Sequence, residues 1–365
     1  MILFLFQFIL TNIIFSVIIC TVLIRLNNKN IHSNLELLLY SLGLGPVFTS
    51  LILYYLLLFL PHQSNLFYLF GVFAIYIFIL LFPGRKYFFI LWLEIKKKIE
   101  VTKKRLKNSD VYYKTEIILF SSIIILLLVS FLFLYCTNTL HTPLDGADAL
   151  RYGTLSKIIY TEKSLEYRWI HYYPKTGFYY RTNHAPSFLL LLTWEKIMDS
   201  PFKVDKDLYY KSISTYYALL ILCITFFWLS RKNKYLALLG IFALLSGFSF
   251  FQTLITQHLD SYRIFFLAIS WISLAYFIEK KDILSFWLLA VFSGFAAFAH
   301  TIGAVIVVFN CLALFIFMHG KLKYRFKRLS AVTVLIIAFG WLHYILDIFW
   351  GYGWIIFRRD ITFWG

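Results

Sequence analysis

Two aspartates head the longest polar segment of the chain, directly after a long apolar run. Asp145 and Asp148 lie in the stretch HTPLDGADALRYGTLSKIIY, residues 141–160. Asp145 fits the N-cap of a helix that we expect to run to about Lys163, with Asp148 at its third position. A helix N-terminus favours an ionised carboxylate, which can accept a proton from a hydroxyl or orient that hydroxyl in a displacement reaction. The same pattern also fits two aspartates that only cap the helix.

Cations follow the aspartates within the same polar segment. Side chains of this kind, facing a membrane surface, suit a phosphate or diphosphate group. Ordinary solvated loop charges would give the same composition. Neighbouring tyrosines and Trp169 could stack on sugar rings, or they could belong to the aromatic belt of a membrane interface. The cations are Arg168, His171, Lys175, Arg181 and His184.

Three further ionisable residues lie at the ends of later apolar runs. Asp260 and Arg263 are close together in the loop QHLDSYR. They could form a simple ion pair, or Asp260 could join Asp148 in one cavity. His300 follows the apolar run GFAAFA, where it could contact a lipid headgroup or only end a tight helical hairpin.

The elements that must position these residues are membrane helices. Of the 365 residues, 61% are hydrophobic and only 15% are charged, whereas soluble domains are about 45–50% apolar and about 25% charged. Apolar stretches near the length that spans a bilayer recur along the whole chain. We therefore expect an all-α, polytopic transmembrane helical bundle of about ten helices. The predicted crossings are 3–24, 35–60, 66–83, 116–136, 212–230, 235–252, 263–279, 284–300, 303–318 and 330–348.

Basic residues alternate between the connections and predict the orientation. Most of the net charge of +17 comes from short connections, so it serves topology and does not call for nucleic acid. With ten crossings, these connections are cytoplasmic and the N-terminus is outside. Residues 137–211 then form a helical extracytoplasmic loop after the fourth helix, and 351–365 form an extracytoplasmic tail where a missing region could begin. The basic connections begin at Arg25, Arg85, Arg231 and Lys321.

The chain divides into three membrane regions. Residues 1–84 are expected to form an N-terminal three-helix extension, and 116–350 a transmembrane core of seven helices. Between them, 85–115 is a basic amphipathic segment on the cytoplasmic leaflet, which could anchor the orientation or bind a partner. The apolar run from Pro186 to Met198 is too short to span and suits an interfacial or re-entrant helix.

Three motifs together resemble the GT-C superfamily of membrane glycosyltransferases, near its protein mannosyltransferase and aminoarabinose transferase branch. The family's Asp-x-x-x-Tyr element is similar to Asp148-Ala149-Leu150-Arg151-Tyr152, which a helix with Lys157 follows. The basic-Pro-Pro element resembles His184-Ala185-Pro186-Ser187, with one proline missing. The Gly-rich helix that ends in Thr-Lys resembles GFAAFAHTIG, with His300 where lysine is usual. Asp260 resembles the family's outer-loop acidic residue.

The resemblance implies an inverting transferase in a bacterial inner or plasma membrane, with its site on the extracytoplasmic face. Its sugar would come from a polyprenyl phosphate and pass to a lipid, glycan or protein acceptor. Asp148 would act as general base, with Asp145 as the alternative. No cofactor is firmly implied, although some related enzymes use a divalent cation, for which Asp145, Asp148 and Asp260 could supply oxygens. The implied phosphate- or substrate-binding residues are Arg151, Tyr152, Arg168, Lys175, Arg181, His184, Asp260 and His300.

Two other functions fit a polytopic protein of this kind. A flippase or transporter of lipid-linked intermediates usually carries ionisable residues within its spans, and the predicted crossings here hold few. An oligosaccharide polymerase or ligase would be expected to have its main basic loop late in the chain, whereas this chain has it early.

Overall fold

Nearly all of the chain that the computed structural model describes is helical. The described residues are 2–27, 31–84, 87–93, 96–97, 100–101, 147–165, 172–173, 178–179, 185–202, 208–247, 260–318 and 320–349, with single positions at 122, 129, 133 and 250.

The described residues form thirteen bounded α-helices, one short hairpin, a 3-10 turn at Ser200–Phe202 and short helical pieces at 87–93, 96–97 and 100–101. Three π-helical segments, Ile9–Ile14, Leu80–Gly84 and Ile337–Trp341, continue or join them. The hairpin strands β1 (Tyr172–Tyr173) and β2 (Phe178–Tyr179) are antiparallel. The helices are α1 (Ile2–Phe8), α2 (Phe15–Leu26), α3 (Asn34–Phe59), α4 (Asn65–Ile79), α5 (Ala147–Glu162), α6 (Pro186–Asp199), α7 (Leu208–Ser230), α8 (Lys234–Ser246), α9 (Asp260–Lys280), α10 (Ile283–Ala299), α11 (Thr301–Phe317), α12 (Leu322–Ile336) and α13 (Leu342–Phe349).

The predicted multi-pass membrane architecture is confirmed in its coarse form. Six helical stretches of the described chain are long and apolar enough to cross a bilayer. Three more predicted crossings are the shorter apolar helices α8, α10 and α11, with 13, 17 and 17 residues. The predicted crossing at 116–136 lies outside the described residues, apart from single positions. The six stretches are Leu3–Leu26, Asn34–Phe59, Asn65–Phe82, Leu208–Ser230, Asp260–Lys280 and Leu322–Leu346.

The connections between helices collect at two ends of the bundle. At one end, which we call the Arg231 end, Arg231 pairs with Glu36 at the start of α3, and His32 faces Asp282 before α10. The other end is the Arg263 end. There the His62 amide donates to the Lys163 carbonyl over 2.8 Å.

The long helix α3 joins the two ends. Its last turns reach the end of α10, where the Tyr54 and Phe298 rings lie 5.7 Å apart, while Arg263 meets His300 close by. Two connections that the charge pattern assigns to the cytoplasm, those that begin at Arg25 and Arg231, meet at the Arg231 end through His32, Glu36 and Arg231. The grouping of the connections therefore agrees with the predicted topology.

The helix α6 lies enclosed within the bundle. All 14 of its residues are buried, and it packs against α3 and α5 most extensively. The sequence predicts an interfacial or re-entrant helix here, and the length is indeed too short to span. An interfacial helix would show one polar face to water, whereas α6 is covered on every side.

Hydrogen bonds allow charged residues of α6 to be buried. The Glu195 carboxylate accepts from the Tyr209 and Tyr210 amides, at 2.9 and 3.2 Å, and so caps the start of α7. From the other side, Gln7 donates to Asp199 over 2.5 Å. Because a buried polar group without a partner costs several kcal/mol in a bilayer, about as much as in any apolar medium, these bonds fix the position of α6.

The π-helical turn Ile9–Ile14 faces α6 and widens the first membrane helix. Trp194 of α6 donates through its indole nitrogen to the Thr11 hydroxyl at 3.1 Å. The carbonyl of Asn12 accepts from the hydroxyls of Ser16 and Tyr216, at 2.8 and 3.0 Å. A π-turn releases carbonyls from the normal helical ladder, and here side-chain hydroxyls satisfy one of them.

The basic amphipathic segment is described in part. Positions 87–93 are helical, and the rings of Phe88 and Trp92, on its predicted apolar face, are exposed, whereas Leu91 is buried. Exposed apolar rings beside lysines suit contact with a membrane surface.

A close crossing of two glycines packs α10 against the π-helical segment Ile337–Trp341. A Cβ atom added to Gly340 would overlap the backbone carbonyl of Gly294, and one added to Gly294 would lie 2.7 Å from the Phe339 side chain. Small residues allow helix backbones to approach in this way within membranes.

We predict that Gly340→Ala destabilises the protein by about 1–3 kcal/mol or more, because backbone cannot move aside as a side-chain tip can. Thermal unfolding in detergent measures the loss. Gly71→Ala is the matched control, since its added Cβ would meet only the Leu56 methyl at 3.0 Å. Equal stability of the two variants would contradict the glycine crossing.

The two ends can be assigned to membrane sides by cysteine labelling. We predict that a membrane-impermeant maleimide applied to intact cells modifies Gln63→Cys and spares Lys232→Cys, in a background without native cysteines. Both positions are exposed, at the Arg263 and Arg231 ends respectively. Modification of residue 232 with sparing of residue 63 would reverse the orientation that the basic connections predict.

Candidate functional site

Asp148 lies in the first turn of α5, at the Arg263 end of the bundle. The helix begins at Ala147, so Asp148 is its second residue rather than the third position predicted. Arg151 follows one turn later on the same helix. The other predicted residues of this segment, Asp145, Arg168, Lys175, Arg181 and His184, lie outside the described residues.

Apolar contacts hold α5 against α6. The Tyr152 ring is buried and meets Phe188 edge-on, with ring centroids 5.4 Å apart. One turn further on, the carbonyl of Ser156 accepts from the Thr193 hydroxyl. The tyrosine of the Asp-x-x-x-Tyr element therefore acts as a packing residue, and it sets the place of the helix turn that carries Asp148.

A row of aromatic rings connects this turn to the start of α9. Phe188 contacts Tyr152 on one side and Tyr262 on the other, where the ring centroids are 5.8 Å apart. The Tyr262 hydroxyl is also hydrogen-bonded to the Ser187 hydroxyl. Since Tyr262 stands next to Arg263, the first turns of α5 and α9 lie at the same end of the bundle.

An ion pair and a histidine follow at the start of α9. The Arg263 guanidinium lies 2.8 Å from an Asp260 carboxylate oxygen, and both side chains are partly exposed, by 29% and 42%. On its other side, Arg263 Nη1 lies 3.3 Å from His300 Nε2. Asp260 and Arg263 therefore form the ion pair that was one of the two expectations from the sequence. Arg263 lies between Asp260 and His300.

His300 joins α10 to α11 in a tight helical hairpin. Its Nδ1 accepts from the Ile302 amide at 3.0 Å and so caps α11, while its own carbonyl accepts from the Gly303 amide. A Cβ at Gly303 would overlap the Ala296 carbonyl. His300 therefore ends the tight hairpin between α10 and α11, which was one of the two roles expected for it from the sequence.

The cap also fixes the tautomer of His300. A neutral imidazole has one nitrogen that accepts and one that donates. Because Nδ1 accepts from Ile302, Nε2 carries the proton and faces the Arg263 guanidinium, which is donor-only. Two donor nitrogens 3.3 Å apart suit an anionic group beside them, such as a phosphate, that accepts from both, and Asp260 offsets part of the positive charge.

Sequence reasoning missed several residues that matter to this arrangement. Ser187 and Tyr262 join α6 to α9, and Glu195 anchors α6. Ser187 and Glu195 belong to an apolar run, and Tyr262 stands beside Arg263 in the loop QHLDSYR without forming a motif. Ser187 directly follows the His-Ala-Pro motif, which was the one available signal. Within the described ranges, no group of three or more His, Cys, Asp or Glu side chains is placed to hold a metal ion.

Compared with known protein families, with curated proteins and with solved structures, the chain gives no match.

The capping role of His300 can be separated from its contact with Arg263. We predict that His300→Ala lowers stability by about 1 kcal/mol, whereas His300→Asn stays close to the wild type because asparagine is a good N-cap. Thermal unfolding of the two variants in detergent decides this. An equal loss in both would mean that Nδ1 does not cap α11.

Proposed function

We propose that the chain is a membrane glycosyltransferase that moves a sugar from a polyprenyl phosphate to a lipid, glycan or protein acceptor. The observation that carries the proposal is the row of rings Tyr152–Phe188–Tyr262. This row ties the helix turn of Asp148 to the turn that carries Arg263. Sugar transfer from a lipid phosphate requires a base for the acceptor and donors for the departing phosphate. Asp148 would be the base, and Arg263 with His300 would be the donors.

In this proposal, Asp148 is the general base. It takes the proton from the acceptor hydroxyl or amine as that group attacks the anomeric carbon, and attack from the side opposite the phosphate inverts the configuration. The bond from the anomeric carbon to the phosphate oxygen breaks, and its electron pair leaves with the polyprenyl phosphate. Asp145 is the alternative base.

Arg263 and His300 are proposed to hold the departing phosphate. Their donor nitrogens lie 3.3 Å apart, so one phosphate could accept from both, and donors already in place stabilise charge that develops in the transition state. Asp260 keeps Arg263 in position through the 2.8 Å ion pair. The resemblance adds further candidates for the phosphate and the sugar, which are Arg151, Arg168, Lys175, Arg181 and His184.

Transport of a lipid-linked intermediate is the second candidate, because α6 brings charge into the bundle. Glu195, Lys196 and Asp199 are all buried there, and ionisable residues inside a membrane protein often mark a transport path. The hydrogen bonds of Glu195 and Asp199 to neighbouring helices give these two residues a structural role. We therefore favour the transferase.

We predict that Asp148→Asn lowers sugar transfer by about 100-fold or more, which is the usual loss when a general base is removed. The assay incubates the purified protein in proteoliposomes with a panel of polyprenyl-phosphate sugars and acceptors, and measures free polyprenyl phosphate by mass spectrometry. Glu162→Gln is the matched control. It makes the same change of carboxylate to amide at the far end of α5 and should leave transfer unchanged.

Unchanged turnover in Asp148→Asn would falsify the assignment of the base. The transport alternative predicts a different result, in which the wild type moves a fluorescent lipid-linked sugar across vesicles without any acceptor and releases no polyprenyl phosphate.

A further inference from the structure

A buried histidine at the Arg231 end lies between two carboxylates. His32, in the connection between α2 and α3, is 1% exposed. Its Nδ1 lies 3.4 Å from a Glu36 oxygen, and its Nε2 lies 3.6 Å from an Asp282 oxygen. Neither the GT-C resemblance nor the proposed transfer reaction uses this residue.

Each carboxylate is fixed by further bonds. Glu36 accepts from Arg231 at 2.6 Å and from the Tyr40 hydroxyl at 2.7 Å. Asp282 accepts from the Ser285 amide at 2.8 Å and thereby caps α10. The group thus joins the start of α3, the α7–α8 connection and the α9–α10 connection.

The hydrogen bonds indicate where the protons lie. The Ser285 hydroxyl donates to Asp282 over 3.0 Å, so its oxygen is left to accept from His32 Nε2, which is 2.8 Å away. The other nitrogen, Nδ1, faces a Glu36 oxygen, and a carboxylate only accepts. Both ring nitrogens therefore face acceptors, which suits an imidazolium with a proton on each.

The charges around His32 also favour its protonated form. Among the described residues, the ionisable groups that face His32 are Glu36 and Asp282, and Arg231 pairs with Glu36. Two negative charges and one positive charge leave this group at −1, and a proton on His32 brings it to zero. The phenols of Tyr40 and Tyr276, whose rings lie 6.2 and 4.8 Å from the His32 ring, are neutral. An unbalanced buried charge is costly, so the proton stabilises the group.

We propose that His32 is a buried proton-binding site that joins the α2–α3, α7–α8 and α9–α10 connections at the Arg231 end. When the proton leaves, the Ser285 hydroxyl turns from Asp282 to donate to Nε2, and the remaining ring proton stays on Nδ1 towards Glu36. The protonated form stabilises the assembled end, and this contribution is lost as the pH rises.

Nitrogen-15 NMR of histidine-labelled protein in detergent tests the protonation directly. At the acid end of a pH series the His32 ring should show the shifts of an imidazolium, and as the pH rises those of the neutral form with the proton on Nδ1. Its signal, one of nine histidines, is identified by its absence from His32→Gln, or by its displacement in Ser285→Ala if the first variant does not fold. A ring that stays neutral throughout the series, or a neutral form with the proton on Nε2, would overturn the proposal.

Thermal unfolding at two pH values tests the consequence. The wild type should have a Tm a few degrees higher at pH 6 than at pH 8, and His32→Gln should lose this difference. His62→Asn is the control, because His62 is exposed at the Arg263 end and asparagine accepts its positive φ of 61°. This control should keep the wild-type difference. A pH difference that survives in His32→Gln would refute the proton site.

Discussion

Inside a membrane bundle, each polar group has to find its partner within the protein, because the bilayer core offers none. The enclosed helix α6 depends on this constraint most. On one side, the Glu195 carboxylate accepts hydrogen bonds from the first amides of α7. On the other side, Gln7 of the first membrane helix donates to Asp199, and Thr11 accepts from Trp194. Bonds from two sides fix both the depth and the rotation of α6. The start of α6 is thereby fixed as well, and with it the packing of α5 and α9 around Phe188.

The two ends of the bundle differ in their chemistry. At the Arg263 end, Arg263 and Asp260 are partly exposed and could be reached by a ligand. At the Arg231 end, the buried carboxylates of Glu36 and Asp282 lie within 3.6 Å of the buried His32 ring, and Arg231, which is partly exposed, pairs with Glu36. A reaction at a membrane surface would need charged groups that a ligand can reach, as at the Arg263 end. The Arg231 end holds helix connections together, and α3 links the two ends.

The sequence predicted the multi-pass helical architecture, of which six candidate spans are present in the described chain, because it depends on local composition. Apolar runs of about 20 residues require helices in a bilayer, and the alternation of lysine and arginine assigns the connections to two groups. The helix after Asp145 was also predicted, with a start one or two residues off. The enclosure of α6 was not predicted, because Gln7 and Asp199 are 192 residues apart and nothing local shows that they meet. His32 was missed for the same reason, since it lies in a short connection without a motif.

Photo-crosslinking with a polyprenyl phosphate that carries a diazirine next to the phosphate tests the central claim most directly. The claim is that the first turns of α5 and α9 form one site for a lipid-linked sugar. The adducts, mapped by mass spectrometry on the protein in nanodiscs, should fall on peptides that contain Asp148 and on peptides that contain Arg263 or His300, and excess unlabelled polyprenyl phosphate should prevent them. Adducts confined to the Arg231 end, or insensitive to the competitor, would contradict the account.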